Sequence, residues 1–90
     1  MAFVQANISL VAYSSNGFHI WHYTSTDAKA DIDTAGYFNA MANEMNIGDV
    51  IHANTSTGGT PEYGIFCVNA NSGTVVDVAD MVSLSGTDTD

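Results

Sequence analysis

Three histidines, one cysteine and a spaced run of aspartates are the residues in this chain whose types could do chemistry. His19 and His22 flank Trp21 in Phe18-His-Ile-Trp-His-Tyr-Thr-Ser25, so in a strand they point to opposite faces and cannot chelate one ion together. His52 can join one of them, but zinc asks for at least three protein ligands. Cys67 lies between Phe66 and Val68 in an apolar run, where a thiol behaves as a small buried hydrophobe. A Cys67–His52 nucleophilic pair across neighbouring strands would lack the electropositive setting that a thiolate needs. Asp31-x-Asp33-x-x-Gly36 matches three positions of an EF-hand loop, yet the fifth position is Ala35 and the twelfth, where a bidentate Glu belongs, is Ala42. Asp27, Asp31 and Asp33 therefore read as acids at a helix start. Gly58-Gly59 has no following Lys and opens no helix, so it reads as a hairpin tip and not as a phosphate cradle. Trp21, Tyr23, Tyr37 and Phe38 are aromatic enough to line a carbohydrate platform, although core packing is the commoner fate of such residues. No catalytic residue, metal site or cofactor is expected, and the chain is not expected to be an enzyme.

The elements that would position these residues are mostly strands. Phe38, Met41, Ala42 and Met45 recur at i, i+3, i+4 and i+7 and predict one short helix over about 34–45, capped by Asp33 or Thr34 and ended by Asn46 and Gly48. Strands are expected at about 7–13, 18–25, 49–55, 62–70, 74–79 and 81–85. Ser14-Ser-Asn-Gly17 and Asn71-Ser-Gly73 read as turns, and Ser56-Thr-Gly-Gly-Thr-Pro61 as a loop. Residues 1–6 read as an extended N-terminal arm and 86–90 as a polar tail of a single domain spanning 1–90. The expected fold is mainly β: a small β-barrel or β-sandwich of five to six short strands with the helix closing one end.

Charge excludes more than it proposes. One Lys (Lys29), no Arg and ten acids give a formal net charge of −9, so binding to nucleic acid through phosphates and to an anionic membrane surface is excluded. No stretch approaches the eighteen or more apolar residues that a membrane-spanning helix needs. An apolar content of 46% is that of a folded chain. At 90 residues the core is small, and a partner would add substantially to stability. The acidic surface keeps free copies apart and suits a partner with basic patches. The N-terminus lacks the positive charge that opens a secretory signal, and Cys67 has no second cysteine to pair with, so a cytoplasmic site of synthesis is expected. The letter matches to the glycosylation pattern at Asn7-Ile-Ser9 and Asn54-Thr-Ser56 carry little weight for the same reason.

The stretches Trp21-His-Tyr-Thr-Ser-Thr-Asp-Ala, Ala30-Asp-Ile-Asp-Thr-Ala-Gly-Tyr-Phe-Asn and Ile47-Gly-Asp-Val-Ile are continued more weakly by Gly58-Gly-Thr-Pro-Glu-Tyr-Gly-Ile, Val75-Val-Asp-Val and Gly86-Thr-Asp-Thr-Asp. Together they resemble a small module of tailed-bacteriophage and prophage structural proteins. As a short chain it is most similar to capsid decoration, or cement, proteins. That resemblance implies a virion protein, made in the bacterial cytoplasm, that binds the major capsid protein on the outer capsid surface, stabilises the particle and forms a homo-oligomer, with a trimer favoured. The apolar residues Phe3, Val4 and Ile8 are then the expected capsid or subunit contact, adding a strand to another chain's sheet edge. Gly58, Gly59 and Pro61 form an expected contact loop. The alternative is a tail-fibre or tail-tip module that recognises a host surface glycan or protein through Trp21, Tyr37, Tyr63 and the same loop.

Overall fold

The structure, a computed structural model, describes residues 3–14 and 18–84. The turn expected at 14–17 and the polar tail at 86–90 lie wholly or largely outside the described residues, as do the first two residues of the expected arm. Six strands form one sheet: β1 (Ile8–Ser14), β2 (Phe18–Thr24), β3 (Val50–Thr55), β4 (Glu62–Asn71), β5 (Val76–Val78) and β6 (Val82–Leu84). The sequence expectation of a mainly β fold with five to six strands and one short helix holds. The barrel alternative does not, because the sheet is open: among the described residues β1 pairs only with β2, and β5 and β6 pair only with β4.

Neighbouring strands run antiparallel except β2 and β3, which are parallel with Ile20 opposite Val50 and Thr24 opposite Asn54. A parallel pair needs a long crossover, and residues 25–49 supply it. β5 and β6 are successive pieces of one return limb along β4. Val78 pairs with Val68 and Val82 with Ile65, and the Ala79 N–H donates to the Cys67 carbonyl at 2.8 Å between them.

The crossover covers one side of the sheet. Trp21, Tyr23, Ile51, Ala53, Phe66, Val68, Val76 and Val78 point from the strands into a core completed by Ile32, Phe38, Met41 and Met45. The apolar face read from the sequence is therefore real, but the helix expected over 34–45 is not. Among the described residues the only α-helical turn, α1, spans Lys29–Ile32, and Asn39–Met41 is a 3-10 turn. The cause is a competing partner for the backbone. Gly36, at φ +91°, donates its N–H to the Val76 carbonyl at 2.9 Å, and the Asn39 side chain accepts the Val76 N–H at 2.9 Å. These bonds seal the free edge of β5 and hold 36–39 out of helical geometry, and i→i−3 bonds from Tyr37, Asn39, Met41, Ala42 and Glu44 carry the chain on in tight turns. Asp33 correspondingly sits at the C-terminal end of α1, with its N–H on the Lys29 carbonyl, and caps no helix start.

Gly64 marks a tight approach between β4 and the return limb. A Cβ placed there would lie 2.6 Å from both Met81 Sδ and the Val82 carbonyl oxygen, on the limb that forms β6. Gly64→Ala is expected to destabilise the fold by about 1–3 kcal/mol by forcing β6 off β4. Thermal unfolding against the parent chain measures this, and an unchanged midpoint would contradict the packing.

Candidate docking face

Two polar clusters hold the layers together, and both use residues with chemical potential for structure. Asp49, the last residue of the crossover, is fully buried. Its carboxylate accepts from the His19 backbone N–H at 3.0 Å, His19 Nδ1 at 3.3 Å, the Trp21 indole Nε1 at 3.1 Å and the Asn46 N–H at 2.9 Å. The Asp49 N–H in turn donates to the Asn46 carbonyl, closing a four-residue turn in which Gly48 has φ +97°. The left-handed residue expected at Gly48 is thus observed.

The second cluster is a chain of hydroxyls. Tyr37 donates to Asp27 Oδ2 at 2.6 Å, which commits its only proton, so the 2.9 Å contact between Tyr23 and Tyr37 is a donation from Tyr23. Tyr23 oxygen accepts the Val4 N–H at 3.1 Å. Burial and the bond to the Asp27 carboxylate hold the Tyr37 phenol well above its usual range. Phe3 stacks on Tyr23 with ring centroids 5.4 Å apart and meets Phe38 edge-on at 5.4 Å.

These contacts relocate several residues singled out in the sequence. Phe3 is packed into its own domain, Val4 is exposed but pinned through its N–H, and Ile8 pairs with Tyr23 in β1 against the core. Residues 3–6 are therefore a docked segment, in part a 3-10 turn over Gln5–Asn7, and not an extended arm. Trp21, Tyr23 and Phe38 are buried and Tyr37 half-buried, so they offer no glycan platform. Gly58, Gly59 and Pro61 are exposed in the loop between β3 and β4. Asp31, Asp33, Asp77 and Asp80 gather at the β5 side, where burial and then the carboxylates of Asp80, Asp77 and Asp31 push Asp33 above its ordinary value. Among the described residues no three His, Cys, Asp or Glu side chains are placed to share a metal ion.

What the crossover leaves uncovered is the other face of the sheet. Strand register arranges its side chains in three rows. The first is Ile20–Val50–Cys67, the second Ser9–His22–His52–Ile65–Val82, and the third Thr24–Asn54–Tyr63–Leu84. Val82 is 67% exposed, Leu84 52% and Tyr63 42%, while Ile20, Val50 and Ile65 are half-buried among them. Cys67, read from the sequence as buried, is exposed here, since its place in the alternation turns it outward between buried Phe66 and Val68. His52 lies diagonally from Cys67, but the face supplies no carboxylate to orient the imidazole. None of the three rows contains an Asp or Glu, in a chain with ten. A cleft of about 200 Å³ lined by Pro61, Glu62, Tyr63, Ser83 and Leu84 borders the third row. This neutral, half-apolar platform is the candidate docking face.

Sequence reasoning missed Val82, Leu84, Ile65 and Val50 as surface residues. Period-two alternation identifies pairs such as Tyr63/Ile65 and Val82/Leu84 as sharing a face, but only the register between strands joins them into rows. Comparisons with protein-family models, with curated proteins and with solved structures returned no match.

Tyr37→Phe is expected to cost about 1–3 kcal/mol, because Asp27 and Tyr23 each lose a partner inside the fold. The raised phenol also sets an alkaline limit: its stabilisation is present below about pH 10 and is lost as pH rises through the unfolded tyrosine value toward the higher folded one. Denaturant unfolding of both chains from neutral to alkaline pH tests this. The parent should lose stability above about pH 10 more steeply than the Phe variant, and parallel curves would contradict the relay.

Proposed function

We propose that this chain is a non-enzymatic bacteriophage capsid decoration protein that docks on the outer capsid surface through the uncovered face of its sheet and stabilises the particle. The observation that carries the reading is charge segregation: in a chain of net charge −9, one sheet face holds no acid among the described residues and is studded with exposed Val82, Leu84 and Tyr63. An exposed apolar patch of this kind, edged by polar residues, is the mark of a protein contact. The resemblance of residues 21–90 to phage structural modules supplies the class of partner, the major capsid protein.

Size argues for many weak contacts acting together. Strands about 4.8 Å apart and residues about 3.3 Å apart make the three rows a platform of only a few hundred Å², against about 800 Å² per partner in a standard interface. Pro61, at the end of the loop that carries Gly58 and Gly59, lines the cleft beside the third row and extends the platform. A homo-oligomer on a symmetric shell multiplies the contact, because each further copy binds at a raised effective concentration. The acids clustered at the β5 side then stay off the contact.

One observation favours a second reading, a tail-fibre or tail-tip module binding a host surface glycan or protein: Tyr63 stands exposed beside the cleft at Pro61, as an aromatic ligand platform would. Copy number separates the two, since a decoration protein saturates a head at hundreds of copies and a tail module at a handful.

Co-sedimentation with undecorated capsids of the cognate phage tests the proposal. Saturable binding with weak salt dependence is expected, as befits apolar contact. Val82→Asp and Leu84→Asp should each weaken it by about tenfold or more without changing the circular dichroism spectrum, equivalent to about 1.4 kcal/mol per site. Absence of binding by the parent chain, or full binding by both variants, would contradict docking through this face.

A further inference from the structure

The middle row of the docking face holds two imidazoles side by side. His22 and His52 are direct partners across the parallel β2–β3 pair, and the strand alternation that buries Trp21, Tyr23, Ile51 and Ala53 turns both toward the uncovered side. His52 is exposed and His22 half-buried. Ser9 of β1 and Ile65 of β4 flank the pair in its row. The neighbouring rows present Ile20 and Thr24 from β2, Val50 and Asn54 from β3, Cys67 and Tyr63 from β4, and Leu84 from β6. None of these groups is a carboxylate. His19, by contrast, lies on the core side against Asp49, where a positive charge has its counterion in place.

Resting on the capsid-docking reading, we infer that docking is proton-gated: the face binds a neutral protein surface while His22 and His52 are uncharged and releases it when they are protonated. Direct register across adjacent strands places the two residues' backbones about 5 Å apart. Free in solution, water and salt screen two charges at that distance. Beneath a docked partner both charges lose water, repel each other and meet no acid among the described residues of their own face. The docked form therefore binds fewer protons than the free form, so affinity declines as pH falls. The partner is committed by the same argument. A surface offering carboxylates opposite the histidines would bind more tightly in acid, and a chain of net charge −9 disfavours such a partner from the outset.

The test is the affinity of the chain for undecorated capsids at about pH 7.5 and about pH 5.5, at constant ionic strength, for the parent, for His52→Gln and for the double variant His22→Gln/His52→Gln, with circular dichroism recorded for each. The readout is the ratio of affinities at the two pH values within each chain, which cancels any change in a variant's own affinity. The parent should lose about tenfold or more in acid, His52→Gln less, and the double variant about twofold or less. A parent affinity that is unchanged or higher in acid, or a double variant that loses as much as the parent, overturns the inference while leaving the capsid reading in place. A parent chain that fails to sediment with capsids at neutral pH overturns that reading, and this inference with it.

Discussion

The structure depends on one buried carboxylate. Asp49 stands where a crossover of some two dozen residues returns to the sheet, and its oxygens gather donors from the start of β2 and from the turn that delivers β3. Burying a carboxylate without partners costs several kcal/mol, so four donors in place of water are what make the position tenable. They also fix the parallel register of β2 on β3, the least local pairing in the fold. The core depends on this closure, because Phe38, Met41 and Met45 reach the sheet only when the crossover ends there.

The asymmetry of the molecule follows from the same constraint. A single crossover shields one side of a small sheet, and among the described residues no second element covers the other. The free edge of β5 is occupied by Gly36 and Asn39, and β1 is interrupted by a bulge between Leu10 and Ala12, two common ways of discouraging unwanted strand pairing. The uncovered face is treated differently. Among the described residues it keeps apolar side chains, an adjacent pair of histidines and no acid, while Asp31, Asp33, Asp77 and Asp80 gather at the β5 side even though burial and then their mutual repulsion raise Asp33. Such segregation disfavours contact between the acidic parts of two proteins and leaves the neutral face for a partner.

The strands were largely legible in the sequence. Phe18-His-Ile-Trp-His-Tyr-Thr and Glu62-Tyr-Gly-Ile-Phe-Cys-Val-Asn-Ala-Asn show β-branched and aromatic enrichment between turn signals, and β2 and β4 lie within a residue of the expected bounds. The helix at 34–45 was misjudged because the periodicity of Phe38, Met41, Ala42 and Met45 records which residues are buried, while the hydrogen bonds that Gly36 and Asn39 make to Val76 come from a strand nearly forty residues on. Phe3 looked free because nothing local announces Tyr23 and Tyr37 as its neighbours. The uncovered face was the least legible feature, since Val82 joins Ile65 and His52 only through two inter-strand registers, one of which runs through the central strand pair β3–β4.

Cys67 offers the most direct measurement of the central claim. It is the chain's one cysteine and is exposed in the first row of the uncovered face, beside Val50. The rate of maleimide labelling of Cys67 should be compared for the free protein and for the protein bound to capsids near saturation. If the sheet face meets the shell, binding buries the thiol and slows labelling to the pace of dissociation. If labelling proceeds at the free rate while the protein remains bound, the face looks outward and the account of its function is wrong.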